Sequence, residues 1–157
     1  MTARPAPAHE APAVRRALRR RAERRRLMAA EPHVLGELRR LRSRVPRLTG
    51  ALAAGLDGLV LAQDTGDVEA EGAAALTAAA LGAAARLAEA TGRGGFHELL
   101  VRGGHGYVAA YAAGGSAVLT LLAEPHVNVG RLHLEGRRSG ARIAELVDGA
   151  LEHPGTA

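Results

Sequence analysis

Apolar residues early in the chain recur at the spacing of an amphipathic helix. Arginines separate these apolar positions, which are Val34, Leu35, Leu38, Leu41 and Val45. Pro32 lies just before them and Pro46 just after them. Proline can begin a helix but cannot continue one, because it has no backbone N–H group and its ring blocks the preceding turn. The pattern therefore predicts a first helix that ends at Pro46.

Two short apolar runs follow this helix and predict a β-hairpin. They cover residues 49–54 and 59–63, and the sequence Gly-Leu-Asp-Gly at 55–58 joins them. An Asp-Gly pair favours the positive φ angles that a tight turn requires. Asp57 is therefore interpreted as a turn residue and not as a catalytic acid.

A long alanine-rich segment at 69–91 predicts the central helix of the fold. It contains no proline, it begins with acidic residues that suit the positive end of a helix dipole, and it stops before Gly92. Three apolar runs come next, at 96–102, 107–112 and 117–123, with glycine-rich turns between them. These runs predict an antiparallel meander.

The last part of the chain predicts a closing helix over 127–151. Its apolar residues lie among charged ones, and Gly136 and Gly140 are expected to weaken it or to interrupt it. The complete order is α-β-β-α-β-β-β-α. The predicted fold class is α+β, with a five-stranded antiparallel sheet and helices on both of its faces.

Charge is distributed unevenly and suggests where the folded domain begins. The first 47 residues hold 14 Arg against four acids, a balance of +10, whereas the rest hold seven Arg against 12 acids, a balance of −5. We expect a basic, disordered extension over 1–33, a folded domain over 34–151 and a tail over 152–157. Because Met28 directly precedes the first amphipathic pattern, a translation start at Met28 is a further hypothesis.

The basic extension has two interpretations. Like-charge repulsion and Ala-Pro repeats favour a solvated tail. The segment 15–28 could instead form a basic helix on nucleic acid, an acidic lipid surface or an acidic protein, because clustered arginines neutralise phosphates and other anions. The candidate contacts to an anionic partner are Arg15, Arg16, Arg19, Arg20, Arg24 and Arg25.

Composition excludes several kinds of chemistry. The chain has no cysteine, so disulfides and thiolate metal sites are excluded, and it has no lysine, so a P-loop is excluded. Only three aromatic residues are present, which leaves almost no platform for stacking nucleic-acid bases. We expect a cytoplasmic protein, since no apolar run reaches the ~20 residues of a membrane span and the N-terminus lacks a signal-peptide core.

The remaining candidate groups give no convincing catalytic or metal site. Ser116 lacks the second glycine of a nucleophile elbow, and His126 and His133 are too far apart for the usual helical metal pair. Arg131, Arg137, Arg138 and Arg142 suit either a solvated helix face or an arginine finger on a GTPase. We predict no catalytic residue, no metal and no cofactor, and hence no enzyme.

The central helix predicts self-association on physical grounds. Residues 72–85 carry no charge on any side, although a surface helix of a small domain should show a polar stripe. A second copy of the chain is the simplest cover for its outer face. The predicted dimer interface comprises Leu76, Ala80, Ala83, Ala84, Leu87, Leu99 and Val101, the last two on an adjoining strand.

Several of these pieces, in this order, resemble the bacterial branch of the roadblock family, the roadblock-type dynein light chains. They are Thr49-Gly50-Ala51, the segment LDGLVLA at 56–62, the alanine-rich helix at 71–90 and Asn128-Val129-Gly130-Arg131-Leu132. The resemblance covers residues 34–151. It implies a homodimer formed by the central helix and its neighbouring strand, which regulates or scaffolds a small Ras-like GTPase. The alternative function is a nucleic-acid-binding accessory protein that acts through the arginine-rich extension.

Overall fold

The computed structural model describes residues 12–153, which form four helices and five strands. The helices are α1 (Pro12–Ala29), α2 (Glu31–Arg44), α3 (Ala70–Ala90) and α4 (Val129–Glu152). The strands are β1 (Leu48–Gly55), β2 (Val60–Asp64), β3 (Glu98–Gly103), β4 (Gly106–Ala113) and β5 (Ala117–Ala123). The predicted α+β class is confirmed, with one helix added at the start of the order.

The strands form a single antiparallel sheet in the order β2-β1-β5-β4-β3. The hairpin β1-β2 and the meander β3-β4-β5 each pair locally, and β1 joins the two groups by pairing with β5, with Leu52 opposite Thr120. The helix α3 connects the two groups. As a result, β2 and β3 lie at the two edges of the sheet.

Helices cover both faces of the sheet, as expected, but they cover them unequally. The helices α2 and α4 pack side by side on one face, where large aliphatic side chains and Tyr111 make the main core. The helix α3 lies on the other face and buries two small clusters. The fully buried members of the main core include Val34, Leu38, Leu41, Leu119, Leu121, Leu132, Ile143 and Val147.

Short polar side chains set the ends of these elements. The carboxylate of Glu69 accepts from the backbone N–H groups of Glu71 and Gly72 at 2.9 and 2.7 Å, and so caps α3. Asn128 caps α4 in the same way through the N–H of Arg131. In the hairpin, Asp57 accepts from the N–H of Leu59 at 3.1 Å, as the turn interpretation requires.

The edge strand β2 is held by the helix behind it. The guanidinium of Arg42 in α2 lies 2.8 Å from the carboxylate of Asp64 and also donates to the carbonyl oxygen of that residue. The pairing of β1 with β2 contains a register shift between Ala53 and Ala54. This edge of the sheet is therefore short, irregular and charged.

The expectation of a disordered extension is wrong for residues 12–29, which form α1. Alanine, leucine and arginine all have high helix propensity, and their sum outweighs the repulsion between arginines. The end of α1 is also anchored, because Leu27 packs against the main core and Arg26 donates to the carbonyl of Leu151 at 3.3 Å. The core begins before residue 34, since Ala30 is buried. Residues 1–11 and the tail beyond 153 lie outside the described part.

The two glycines expected to weaken α4 do not interrupt it. They allow α4 to approach the sheet closely. A Cβ atom on Gly136 would lie only 2.5 Å from Cε2 of the Tyr111 ring, and one on Gly140 would lie 3.2 Å from the carbonyl oxygen of Ala112. Packing against β4 therefore offsets the low helix propensity of glycine at these positions.

A polar cluster lies between α2 and α4. Ser139 donates to Glu37 at 2.7 Å, and Arg44 bridges Glu37 and Glu135 at 3.0 and 2.9 Å. Burial alone would raise the pKa of Glu37, but the hydrogen bonds from Ser139, Arg44 and Arg40 outweigh it and hold that pKa below its ordinary value. Ser139 therefore has a structural role.

The glycine packing predicts opposite effects for two substitutions in α4. Gly136→Ala forces a methyl group into the Tyr111 ring, so we expect it to lower the free energy of unfolding by about 1–3 kcal/mol. Gly149→Ala is the matched control, because nothing lies within 4 Å of its Cβ position. It should raise the free energy of unfolding by about 0.5–1 kcal/mol. Urea unfolding measures both values, and a stabilising Gly136→Ala would contradict the packing described.

The polar cluster predicts a pH dependence. Glu37→Gln should destabilise the domain by about 1–2 kcal/mol at pH 7, because it weakens hydrogen bonds to a charged acceptor. The folded pKa of Glu37 is below the unfolded value of 4.5, so its stabilisation is complete above that value and is lost as the pH falls through the folded pKa. The difference between wild type and variant should therefore shrink on acidification.

Urea titrations at neutral and acidic pH test this expectation. Glu145→Gln removes the same charge from an exposed pair with Arg142 and serves as control. Equal pH profiles for the two variants would show that Glu37 contributes nothing specific.

Candidate interaction surface

The helix α3 buries only one narrow stripe against the sheet. Its buried residues are Ala70, Ala74, Thr77 and Leu81, which recur every three or four positions. Ala70 and Ala74 pack with Leu52 and Ala54 of β1, and Leu81 packs with Ala110 and Val118 of the meander. Because most of the contacting side chains are small, the helix lies close to the sheet and most of its circumference stays in solvent.

The opposite side of α3 presents an exposed apolar stripe. Leu76 and Leu87 are 75% and 66% exposed, and Ala80 and Ala83 lie between them, also exposed. The spacing of four, three and four positions places these residues on one face of the helix. Ala84 is half-buried at the border of this face. The stripe of Leu76, Ala80, Ala83 and Leu87 is called the outer stripe below.

The length of α3 does not exclude a membrane span. With 21 residues it is the one helix in the described part that is long and apolar enough, by length and composition, to cross a bilayer. The expectation that no apolar segment is long enough for a membrane span is therefore wrong for α3. One such helix is weak support for a span, because helices at protein interfaces have the same composition.

The edge strand β3 presents apolar side chains on the same face of the sheet as α3. Leu99 pairs opposite Ala110 and packs with it against Leu81, so Leu99 faces the α3 side of the sheet. Val101, two residues further along, faces the same side and is 48% exposed. Within residues 12–153, the outer backbone edge of β3 has no neighbouring strand. The predicted interface residues on α3 and β3 thus lie on one continuous side of the molecule.

An apolar groove connects α3 with the meander. It has a volume of about 320 Å³ and lies between one flank of α3 and strands β4 and β5. Its large lining side chains are Leu56, Leu81, Phe96 and Val118. The groove widens the apolar area around the outer stripe.

The opposite side of β3 is fixed by a set of polar contacts. Arg137 of α4 forms two hydrogen bonds with Glu98, at 2.5 and 2.7 Å. These bonds hold the pKa of Glu98 below its ordinary range and raise the pKa of Arg137. The Tyr111 hydroxyl lies 2.8 Å from Nδ1 of His133, and burial raises the pKa of that hydroxyl. These contacts fix the position of Glu98, the first residue of β3.

Comparison with known proteins identifies the family. The family model for the Roadblock/LC7 domain matches residues 34–123, which is more than half of the chain. The chain belongs to the Roadblock/LC7 domain family. Two uncharacterized proteins of Methanocaldococcus jannaschii are 35% and 33% identical over 100 and 105 residues, which are 63% and 66% of this chain and 87% and 88% of theirs.

Solved structures share the fold of this Roadblock/LC7 domain. The structure titled MglB with tetrameric arrangement has a TM-score of 0.73 at 23% identity and covers 78% of this chain and 93% of its own. The gliding protein MglB from Thermus thermophilus has a TM-score of 0.70 at 22% identity. The match covers 77% of this chain and 93% of that protein. A Roadblock/LC7 domain from Streptomyces avermitilis has a TM-score of 0.54 at 25% identity and covers 68% and 94%.

In this Roadblock/LC7 domain the candidate arginines fall into two groups. The predicted anionic contacts all lie on α1 and are exposed, and they are Arg15, Arg16, Arg19, Arg20, Arg24 and Arg25. Three of the four arginines considered as GTPase fingers lie on α4 and form ion pairs, namely Arg137, Arg138 and Arg142. Within residues 12–153 no group of three His, Asp or Glu side chains is placed to hold a metal.

Two features of this Roadblock/LC7 domain could not be read from the sequence. Glu98 and Arg137 are 39 positions apart, and Glu37 and Ser139 are 102 apart. No local spacing connects such partners. The alternation of charge with apolar residues on α4 was the only signal that this helix had a polar side.

Proposed function

We propose that this Roadblock/LC7 domain is a non-catalytic cytoplasmic module that forms a homodimer and regulates or scaffolds a small Ras-like GTPase. The outer stripe of α3 is the observation that carries this proposal. It combines two highly exposed leucines with small residues on a helix whose other stripe is already used by the sheet. Membership of the Roadblock/LC7 family supports the functional part, since members of this family act as GTPase-associated regulators.

A second copy of the chain suits the outer stripe. From Leu76 to Leu87 the stripe extends about 16 Å along the helix axis. The alanines between the leucines allow two helices to pack closely, and a twofold axis makes the same patch cover itself. Since β3 lies on the same side, a twofold arrangement of α3 helices also brings the two β3 edges near each other.

Lipid is a less suitable cover than protein. Ala70, Ala74, Thr77 and Leu81 pack against the sheet, so α3 cannot be surrounded by lipid without leaving the fold. Only one side of α3 needs a cover, and a flat apolar stripe beside an open strand edge is typical of a protein interface.

The non-catalytic part of the proposal rests on how the charged groups are used. The side chains with shifted pKa values, such as Glu37, Arg44, Glu98 and Arg137, bind each other and hold α2, α4 and β3 together. A catalytic site needs such groups to converge on a space where a substrate can sit.

Nucleic-acid binding is the second candidate function, and the exposed arginines of α1 favour it. The helix carries eight arginines and one glutamate. Binding of this kind would depend on α1 and would weaken steeply with salt. The two candidates therefore predict different responses: loss of the outer stripe would abolish one and leave the other unchanged.

The first prediction of the proposal concerns the mass of the protein in solution. The wild type should be a dimer by light scattering coupled to size exclusion. Leu76→Glu combined with Ala80→Glu should give a folded monomer, because each copy then places buried carboxylates in the interface.

Leu134→Glu combined with Ala141→Glu is the matched control, since both residues are exposed on α4 and the substitutions are the same. This control should remain a dimer. A wild-type monomer, or a control that dissociates as completely as the test variant, would refute the proposed interface.

The second prediction concerns the GTPase. Small Ras-like GTPases of the same organism, loaded with GDP or with a non-hydrolysable GTP analogue, should include one that co-elutes with the dimer. The Leu76→Glu and Ala80→Glu variant should bind it at least about tenfold more weakly, if the contact surface spans both copies.

The rate of GTP hydrolysis then separates the two roles. A changed rate on adding the dimer would indicate regulation, and binding without a change would indicate scaffolding. Failure of every such GTPase to bind would contradict the functional part of the proposal and leave the dimer in place.

A further inference from the structure

A second apolar cleft lies on the other side of the molecule, between α1 and the β1-β2 hairpin. Its volume is about 650 Å³. One wall is a face of α1, and the floor is formed by β2 and the turn before it. We call this space the α1 cleft. It is separate from the outer stripe, which lies on α3.

The α1 wall of the cleft is basic in its middle and apolar at its ends. Its residues recur at helical spacing along one face, and they are Ala17, Arg20, Arg21, Glu23, Arg24, Leu27 and Met28, so three arginines stand beside one glutamate. The wall is fixed at its C-terminal end, because Leu27 packs against the core and Arg26 binds the carbonyl of Leu151. The cleft is therefore a built feature of the fold.

The floor of the cleft is apolar and accessible. It is formed by Leu59, Val60 and Leu61. Leu59 is 43% exposed, and Met28, at the border of the wall, is 49% exposed. Leu59 and Met28 are thus large apolar side chains left in solvent on two facing elements. Covering them with a partner lowers the free energy.

The wall has a net positive charge even with Glu23 counted, and within the described residues its arginines form no ion pair. Among residues 12–153, no carboxylate lies within ion-pair distance of Arg20, Arg21 or Arg24. Asp57 lines the same cleft, but its carboxylate accepts from the N–H of Leu59. An occupant that supplies carboxylates opposite the wall would therefore gain charge-assisted hydrogen bonds.

We propose that the α1 cleft binds an acidic amphipathic helix of a partner protein. The apolar side of that helix packs on Leu59 and Met28, and its carboxylates face Arg20 and Arg24. The wall from Ala17 to Met28 extends about 16 Å, which matches three turns of a helix. Recognition of this kind needs both a basic wall and an apolar floor, and the cleft has both.

Phosphate-bearing surfaces fit the cleft less well. Duplex DNA and a lipid bilayer are convex or flat, and they attract arginines on the outer side of a helix as strongly as arginines inside a cleft. Neither requires Leu59. The dependence of binding on the floor therefore separates a peptide helix from these other partners.

The test uses the full chain and a synthetic peptide as probe. The peptide is a fluorescent three-turn helix with leucines on one face and glutamates on the others. We expect micromolar affinity by fluorescence anisotropy, and a weaker affinity as salt is added. Leu59→Ser, and separately Arg20→Ala with Arg24→Ala, should each lower the affinity about tenfold.

The matched control is Arg15→Ala with Arg19→Ala. It removes the same charge at the same spacing from α1, at positions that do not line the cleft. It should lower the affinity by less than about threefold. Circular dichroism and the mass in solution show that each variant keeps its fold and its assembly.

Several results would overturn the proposal. Absence of peptide binding, an equal loss in the Arg15/Arg19 control, or full affinity in Leu59→Ser would each do so. Tighter binding of duplex DNA or of phosphatidylglycerol vesicles, with the same loss in both arginine variants, would assign the arginines to phosphates. A change of assembly mass in Leu59→Ser without peptide would assign the cleft to a second copy. Only this last result bears on the proposed dimer, and the others leave the outer stripe to be judged separately.

Discussion

The close contact between α4 and β4 is the constraint on which much of the structure depends. Tyr111 is the largest fully buried side chain of the main core, and its ring occupies the space that a side chain at position 136 would need. Because Gly136 leaves that space open, α4 lies near enough to the sheet for Arg137 to reach Glu98 of β3. The position of β3 therefore depends on Gly136. This is so although α4 packs on the opposite face of the sheet from the exposed side of β3.

The two faces of the sheet are covered by different kinds of side chain. One face therefore forms the main core, and the other presents a surface suited to a partner. Two helices with leucine, valine and isoleucine close one face and bury most of their large apolar side chains in the main core. On the other face, α3 contributes mostly alanine to the contact. A helix of small residues stays close to the sheet, so its leucines at 76 and 87 must point away from it. The same composition that makes a modest intramolecular core makes a surface suited to a partner.

The sequence predicts the order of elements well where local chemistry decides it. The apolar runs of the strands, the Asp57 turn and the acidic start of the central helix are all local signals, and the structure agrees with them. The errors occur where distant contacts decide. At residues 12–29 charge repulsion favours a solvated tail over the alternative of a basic helix, but helix propensity and the anchoring of Leu27 to the core decide for the helix α1. Gly136 was interpreted as a weak point because nothing nearby in the sequence shows that Tyr111 packs against it.

The two edges of the sheet differ in a way that limits how the chain can assemble. The β2 edge is short, has an irregular register and carries the pair of Arg42 and Asp64, whereas the β3 edge is open. Devices like those at β2 prevent strands from adding to an edge. In the proposed dimer, growth of the sheet through β3 would end once the second copy is in place, since each copy then presents only its β2 edge. Such a dimer would join its sheets without polymerising into a fibre.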